Sequence, residues 1–203
     1  MRLYYVPGAC SLSPHITLCE AGLNYELIKV DLQKSTTEDG RDYSTINPFG
    51  YVPALELDNG GILLEGPAII QYIADQVPDK NLAPANGTLE RYRLQQKLNF
   101  ISTELHKGFG ALFNPALPKE AGELFLGTVA RRLDVLAPQL ESSPYLMGDN
   151  FTVADAYLFT VLSWSPHLKF DLSRWPTLGA YLGRIGERPA VLQALKEEGL
   201  LGV

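Results

Sequence analysis

The chain has 203 residues, 46% hydrophobic and 20% charged, which is typical of a globular protein with one or two domains. The formal net charge of -6 argues against a nucleic-acid surface, which would need clustered lysine and arginine. Two cysteines cannot form a disulfide framework, and no apolar run approaches the length of a membrane span. The N-terminus also lacks the pattern of a secretory signal. We therefore expect a cytoplasmic protein that binds neither nucleic acid nor membranes.

A metal centre is not expected from the sequence. The three histidines, His15, His106 and His167, lie far apart along the chain. None of them is accompanied by a pair of cysteines at the spacing of a zinc site. The sequence therefore predicts no metal ligand set.

The first twenty residues combine a strand, a tight turn and a helix. An apolar run at residues 3–6 meets Pro7-Gly8, and a helical pattern follows with Cys10 where the helix begins. A thiol in that position faces unpaired N–H groups and the positive end of the helix dipole, so we expect the Cys10 pKa to lie below that of a free cysteine. The alternative is a buried apolar cysteine, since free cysteine is among the most buried residue types. The position at a helix start favours the reactive thiol.

The residues after Cys10 restrict its redox chemistry. They have the spacing of a CxxC motif, with Ser13 in place of the second cysteine. Cys19 is nine residues on, about 13.5 Å along a helix, whereas a disulfide needs Cα atoms within about 7 Å. A disulfide at Cys10 would therefore be resolved by an external thiol. Cys19 shares a helix face with Leu12 and Ile16, and we expect it to lie in the core.

The rest of the N-terminal part predicts a mixed sheet. Four segments have strand patterns, and these are residues 3–6, 25–31, 51–57 and 62–64. A helix follows from Glu65 to about residue 77, so the order is βαβ and then ββα. This order predicts a mixed four-stranded sheet with helices packed on it. Residues 78–88 contain two prolines and an Asn-Gly pair, which predicts a linker after a first domain at 1–77.

Helical periodicity alone continues from residue 89 to the end of the chain. The predicted helices cover residues 89–113, 119–140, a segment starting near Thr152, 176–187 and 190–198. Thr152 and Asp155 have the spacing of a capping box with the shorter acid. The sequence thus predicts an all-α C-terminal domain at 89–203.

Five motifs, taken together, resemble those of the glutathione S-transferases, and within them the bacterial beta class. They are YxPGACSLxxH at 5–15, NPxGxVPAL at 47–55, LLEGxAI at 63–69, NxxxTELHKGF at 99–109 and FTVADAYLF at 151–159. The resemblance implies a thioredoxin-like N-terminal domain, an all-α C-terminal domain, and glutathione as co-substrate in a cleft between them. It also implies a cytoplasmic homodimer that acts on small hydrophobic electrophiles.

The resemblance also implies the roles of individual residues. Cys10 and His106 would be catalytic, and Tyr5, Ser11 and Lys107 are secondary candidates. The residues expected to bind glutathione are Cys10, Lys34, Ser35, Tyr51, Val52, Pro53, Glu65, Gly66, Asn99, Thr103, Glu104, Leu105 and His106.

The N-terminal domain would hold glutathione mainly through its backbone. By the resemblance, the Val52-Pro53 peptide is cis and the Val52 backbone pairs with the cysteinyl part of glutathione. The helix that starts at Glu65-Gly66 would take the γ-glutamyl carboxylate on its free N–H groups. The alternative for Glu65 is simple complementarity to the helix dipole. Many relatives have a serine at the position of Gly66, so here only the backbone is expected to contribute.

Two further contacts follow the same resemblance. Relatives often have a lysine at the position of Ser35 that binds a glycyl carboxylate, whereas this chain has Lys34 one position earlier. Asn99, Thr103 and His106 form a polar stripe at i, i+4 and i+7 of the long helix. Such a stripe is usually only solvated. In similar proteins it faces the reactive sulfur, where His106 could stabilise a thiolate or accept its proton.

The expected activity is conjugation of the glutathione thiol to hydrophobic electrophiles. Cys10 is also expected to form a mixed disulfide with glutathione and to support thiol–disulfide exchange. A glutathione held as a disulfide is not a nucleophile towards carbon, so the two reactions belong to different states of one site. The acceptor pocket is expected around Phe109, Phe113, Trp164 and His167. The alternative function is a non-catalytic ligand-binding or regulatory protein on the same fold.

Overall fold

A computed structural model describes residues 1–201, and their contacts form two compact units. The first unit consists of Met1–Ala83 together with the segment that begins at Arg188, and the second is Pro84–Glu187. The boundary after Ala83 falls inside the predicted linker. The final helix, which the sequence assigns to the helical domain, instead packs in the first unit. Helical periodicity shows that this segment has an apolar face, but it does not show which unit that face contacts.

The first unit is built on a mixed sheet. Its strands are β1 (Arg2–Tyr5), β2 (Glu26–Asp31), β3 (Thr36–Thr37), β4 (Ala54–Glu56) and β5 (Ile62–Leu64). They lie in the order β3-β2-β1-β4-β5 across the sheet. β1 and β2 are parallel, and the other pairs are antiparallel. The predicted mixed sheet is confirmed, with a fifth strand added. β3 has only two residues and pairs with the end of β2, too short a stretch to produce an alternating pattern.

Three helices belong to this unit, α1 (Leu12–Ala21), α2 (Gly66–Asp75) and α8 (Pro189–Glu197). Gly22 ends α1 at φ +67°, a left-handed conformation that glycine adopts without strain, and its N–H donates to the carbonyls of Leu18 and Cys19. α8 packs along α1. Its start is fixed by Arg188, whose Nε donates to Glu20 Oε1 at 2.6 Å. A second bond from Arg188 to Glu20 Oε2 at 2.9 Å makes the pair bidentate.

The second unit is helical over most of its length. Its helices are α3 (Leu89–Phe100), a π-helical segment (Ile101–His106), α4 (Lys107–Ala111), α5 (Lys119–Leu136), α6 (Val153–Leu162) and α7 (Pro176–Gly186). The sequence predicted a regular helix over 89–113 and missed the π-helical segment. An i→i+5 turn rotates the side chains that follow it about the helix axis, so a stripe assigned on regular spacing is shifted. In the part of the chain that the structure describes, no helix is long and apolar enough to cross a bilayer.

The start of α6 is fixed by a buried carboxylate. Asp155 is fully buried, and its Oδ2 accepts the Thr152 N–H at 2.8 Å and the Thr152 hydroxyl at 3.0 Å. Its Oδ1 accepts the Leu146 N–H at 2.8 Å and the Tyr181 hydroxyl at 2.9 Å. The predicted capping box is therefore confirmed. The same side chain also ties α6 to α7 and to the loop before it, which the sequence did not predict.

Replacing Asp155 with asparagine should destabilise the second unit by about 3 kcal/mol. An amide offers one acceptor oxygen in place of two, so buried donors are left unpaired at about 1–3 kcal/mol each. Urea unfolding measures the change. Thr152→Ser keeps the hydroxyl and is the matched control, for which we expect a loss below about 1 kcal/mol. Equal stability of Asp155→Asn and the parent protein would contradict this role.

Candidate active site

Cys10 lies in the turn that precedes α1. It is half-buried, and its Sγ donates to the Val52 carbonyl at 3.1 Å. The Ser13 N–H donates to the Cys10 carbonyl at 3.3 Å, so the cysteine is continuous with the first turn of the helix. The helix begins two residues later, at Leu12, so Cys10 lies in the turn immediately before the helix start at which the sequence placed it. This thiol is therefore exposed enough to react and is held against the backbone before β4.

Ser11 has a structural role that the sequence did not predict. Its side chain is fully buried, and its hydroxyl accepts the Val6 N–H at 3.2 Å and donates to the Val6 carbonyl at 3.1 Å. Both functions of the hydroxyl are used to close the Pro7-Gly8 turn, in which Gly8 has φ +72°. This hydroxyl holds the turn that carries Cys10, and a secondary catalytic role for Ser11 stays a prediction.

Two side chains that the sequence did not assign to the site hydrogen-bond to the segment before β4. The Tyr51 carbonyl accepts the Tyr43 hydroxyl at 2.9 Å and the side-chain amide of buried Asn47 at 2.6 Å. The Val52-Pro53 peptide that follows is cis, as expected from the resemblance. These bonds fix the backbone that faces Cys10. The Asn-Pro turn was the sequence signal that could have identified Asn47, whereas nothing marked Tyr43.

The N-terminus of α2 offers one amide to a ligand. The N–H groups of Ala68 and Ile69 both donate to the Glu65 carbonyl, at 2.9 and 3.0 Å, and Pro67 has no N–H. Within residues 1–201, which the structure describes, no group accepts the Gly66 N–H, so this amide remains open in the turn. Glu65 itself has φ +69°, an uncommon conformation for a residue with a side chain, and such conformations cluster at ligand sites. Fewer backbone donors are available here than the sequence led us to expect.

Tyr51 contacts the start of this helix and directly precedes Val52, whose carbonyl accepts the Cys10 thiol. Its hydroxyl donates to Glu65 Oε1 at 2.6 Å, and that hydrogen bond raises the Tyr51 pKa above its usual value. A Cβ built on Gly66 would lie 3.9 Å from Pro53 Cγ, so the helix start and the cis proline are in contact distance. The first unit thus brings six of the predicted residues close together; they are Cys10, Tyr51, Val52, Pro53, Glu65 and Gly66.

The two predicted site residues in the loop after β2, Lys34 and Ser35, contact other residues of the first unit. Lys34 Nζ lies 3.2 Å from Asp31 Oδ2, and its side chain is 78% exposed. Ser35 has φ +51°, and its carbonyl accepts the Tyr43 N–H at 2.8 Å. Their recorded partners are therefore Asp31 and Tyr43, and the predicted contact with a glycyl carboxylate stays a prediction.

Tyr5 is nine-tenths buried on β1, with its ring centroid 6.4 Å from that of His15. Burial raises the Tyr5 pKa, and the charges of Glu38, Glu198 and Glu197 add to that shift. A phenol with a raised pKa stays protonated at neutral pH and can donate a hydrogen bond. Its secondary catalytic role stays a prediction.

In the second unit, His106 lies at the end of the π-helical segment. Its Nδ1 is 2.6 Å from the hydroxyl of buried Tyr157, and its ring meets Trp164 edge-on at 4.9 Å between centroids. When Tyr157 donates to Nδ1, the ring proton is on Nε2, which leaves that nitrogen able to donate to an anion. Tyr157 was not predicted as part of the site, although it lies within one of the five motifs.

The neighbours of His106 differ in what they can contact. Glu104 pairs with Arg132 at 2.6 Å, and the Thr103 hydroxyl donates to the Asn99 carbonyl at 3.0 Å. Leu105 is fully buried. Its expected role in binding glutathione stays a prediction. Lys107 is exposed.

The residues proposed for an acceptor pocket separate into two groups. Phe113 is 51% exposed and stacks edge-on against Trp164 at 5.7 Å, beside the histidine. Phe109 is fully buried against Phe170 at 5.3 Å and belongs to the core. His167 is exposed. Phe113 therefore presents an exposed apolar side chain that rests on buried Trp164, whose ring also contacts His106.

Comparisons with known proteins agree across the chain. Residues 8–76 match the model for the glutathione S-transferase N-terminal domain, and residues 100–189 match that for the C-terminal domain. The chain is 46% identical over 200 residues to glutathione S-transferase GstA of Escherichia coli O157:H7, which covers 98% of this chain and 100% of that protein.

Two solved structures are similar over nearly their full length. The beta-class glutathione S-transferase of Sphingomonas chungbukensis is 50% identical, with a TM-score of 0.96 over 99% of this chain and 100% of that one. A sphingomonad glutathione S-transferase complexed with glutathione is 49% identical, with a TM-score of 0.95 over 98% and 100%.

Proposed function

The chain is an enzyme of the glutathione S-transferase family, in its bacterial beta class, and on that premise we propose that it conjugates the glutathione thiol to small hydrophobic electrophiles. The observation that carries this proposal is the surface formed by Cys10, Val52 and Gly66. It offers a place for sulfur, an extended stretch of backbone before a strand, and an open amide at a helix start. Those features match a thiol, a peptide backbone and a carboxylate, which are the three functional parts of glutathione.

A second activity is proposed for the same surface. The Cys10 thiolate attacks oxidised glutathione, which forms the Cys10–glutathione disulfide and releases one glutathione thiolate. An external thiolate then attacks the glutathione sulfur of that mixed disulfide, forms a new disulfide with it and releases Cys10 as a thiolate. The half-buried Cys10 thiol supports this step because it is accessible. Ser13 occupies the position of a resolving cysteine, and a hydroxyl cannot attack a disulfide as a thiolate does. The Ser13 hydroxyl instead donates to the Cys10 carbonyl at 3.0 Å.

His106 is proposed as an acid–base group in the conjugation of glutathione. The 2.6 Å contact between Nδ1 and the Tyr157 hydroxyl supports the role because it orients the ring and leaves Nε2 for proton transfer. For His106→Gln we expect kcat/KM to fall about 100-fold, with loss of one limb of its pH profile. An unchanged rate and profile would remove His106 from the mechanism.

The working form is proposed to be a cytoplasmic homodimer. Large apolar side chains are exposed on two helices of the second unit; they are Leu89, Tyr92, Leu124, Phe125 and Val135. Exposed apolar surface of this kind marks interfaces. Both cysteines are free, which suits a reducing compartment. Light scattering on a sizing column tests the dimer, and a monomer at micromolar concentration would contradict it.

Two assays test the function together. The first measures glutathione-dependent conjugation of a general aryl halide, and the second measures intact mass after incubation with oxidised glutathione. We expect turnover in the first and one glutathione adduct on Cys10 in the second. Absence of both, with no retention on immobilised glutathione, would instead favour the non-catalytic ligand-binding or regulatory protein.

Gly66→Ser is expected to lower the KM for glutathione about 10-fold without changing kcat. The new Cβ would meet Pro53 Cγ at 3.9 Å, an ordinary contact, so the fold tolerates it. The hydroxyl adds a donor to a carboxylate that otherwise meets the Gly66 N–H, and a hydrogen bond to a charged group contributes about 1.5–3 kcal/mol. Gly66→Ala is the matched control and should leave KM unchanged. Equal KM values for the serine and alanine variants would place the carboxylate elsewhere.

A further inference from the structure

A polar cluster joins α1 to α8 in the first unit. His15 is fully buried, with its Nε2 2.8 Å from Glu197 Oε2 and its Nδ1 2.9 Å from Glu198 Oε1. The Tyr25 hydroxyl lies 2.7 Å from the same Glu197 oxygen and 3.1 Å from Cys19 Sγ. Nothing in the proposed glutathione chemistry uses these groups.

We propose that His15, Cys19 and Glu197 form a binding site for a thiophilic divalent cation, for which Zn²⁺ is the best match. An imidazole, a thiolate and a carboxylate are all ligands that zinc accepts, and three protein ligands leave a fourth position for water. Their ligating atoms, Nε2, Sγ and a carboxylate oxygen, all lie within 4.8 Å of one another. Calcium and magnesium are disfavoured, because both require oxygen ligands.

The distances fit a tetrahedral metal after a small adjustment. With metal–ligand bonds of about 2.0–2.3 Å, tetrahedral geometry separates the ligand atoms by roughly 3.3–3.6 Å. The contact between His15 and Glu197 must open by roughly 0.5 Å, and the wider separations must close. Glu197 can move because its side chain is 34% exposed. The Tyr25 hydroxyl would leave its position between Cys19 and Glu197 and remain a hydrogen-bond donor beside them.

The outer contacts of His15 are those of a metal ligand. Its Nδ1 donates to Glu198, a carboxylate with a fully buried side chain that also accepts the Gly8 N–H at 2.8 Å. A carboxylate on the far nitrogen fixes the ring and directs the other nitrogen towards the metal, the usual arrangement around zinc-bound histidine. His15 and Cys19 are also four residues apart in α1, so both project from one face.

Solvent can reach the proposed site. Zinc binds a neutral imidazole and a thiolate, so binding would release protons and depend on pH. Cys19 and Tyr25 are only half-buried, which leaves a route for the ion from solvent.

The test titrates the full chain, stripped with a chelator and kept in thiol-free buffer, with Co²⁺ and then Zn²⁺. We expect one metal per chain, a thiolate-to-cobalt charge-transfer absorption in the near ultraviolet, and displacement of cobalt by zinc. Cys19→Ser should abolish the charge-transfer absorption and weaken zinc binding about 100-fold or more, beyond the effect of losing an outer-shell partner. Cys10→Ser is the matched control and should keep both.

A second variant keeps the proposal testable should serine perturb α1. Glu197→Gln removes one ligand from an exposed side chain and should weaken zinc binding while retaining the thiolate–cobalt signal at high metal. Three results would overturn the proposal: no bound metal, a cobalt spectrum unchanged in Cys19→Ser, or a spectrum lost in Cys10→Ser instead. None of these readouts depends on transferase activity, so they separate this site from the proposed function.

Discussion

Cys10→Ala is expected to lose glutathione adduct formation and thiol–disulfide exchange completely while retaining part of the conjugating activity. The exchange reaction passes through a disulfide on this sulfur, and no other group in the turn can replace it. In the proposed reaction the nucleophile for conjugation is the sulfur of glutathione itself, which the backbone around Val52 and Gly66 would hold, so we expect conjugation to survive in part. Intact mass with oxidised glutathione, an exchange assay and an aryl halide assay measure the three quantities on one preparation.

The control is Cys10→Ser. Serine keeps a donor for the Val52 carbonyl, 3.1 Å from the native sulfur, but cannot form a disulfide. We expect it to match the alanine variant in exchange and to exceed it in conjugation. Cys19→Ser should retain the adduct on Cys10. Exchange that persists in Cys10→Ala would assign the redox chemistry to another thiol.

His15→Ala is expected to lower the free energy of unfolding by about 3–5 kcal/mol. Removing the imidazole leaves the Glu198 carboxylate, whose side chain is fully buried, without its cationic partner, and breaking a buried pair from one side costs that much. Urea unfolding in the presence of a chelator measures the loss. His167→Ala, at an exposed histidine, is the matched control and should change stability by less than about 0.5 kcal/mol.

The same contact predicts a dependence of stability on pH. Burial opposes the charge on His15, but the hydrogen bonds that the ring makes to Cys19, Glu198 and Glu197 outweigh burial and raise the His15 pKa to about 10. A histidine with a raised pKa stabilises the fold fully below its unfolded value near 6.5, and this contribution is lost as pH rises towards 10.

We therefore expect the parent protein to lose stability between pH 6.5 and pH 10 and His15→Ala to show a flatter profile. Glu198→Gln is a second variant, which keeps an acceptor for Gly8 and should also flatten the profile. Parallel profiles for all three proteins would contradict the assignment.

Local patterns were sufficient wherever one segment determines its own conformation. Gly22 ends one helix, and Thr152 and Asp155 cap the start of another. The order strand, helix, strand at the start of the chain agrees with the parallel pairing of β1 and β2. The π-helical segment before His106 was missed because its residues are compatible with regular helix, and only packing against the neighbouring helices selects the wider turn. β3 was missed because two residues carry no periodicity.

Local patterns and motifs were enough to predict the class of fold, the place of Cys10 next to a helix start, and the family. Which side chains meet depends instead on how distant segments of the chain pack together. Ser11 closes on Val6, Tyr43 and Asn47 hold the Tyr51 carbonyl, and Glu197 reaches His15 across 182 positions of the chain. The physical reason is that periodicity and turn chemistry act over a few residues, whereas the packing of α8 on α1 depends on buried surface from both ends of the chain. The sequence predicted no metal ligand set for that same reason, since His15 and Cys19 lie together in α1 but their proposed third ligand comes from α8.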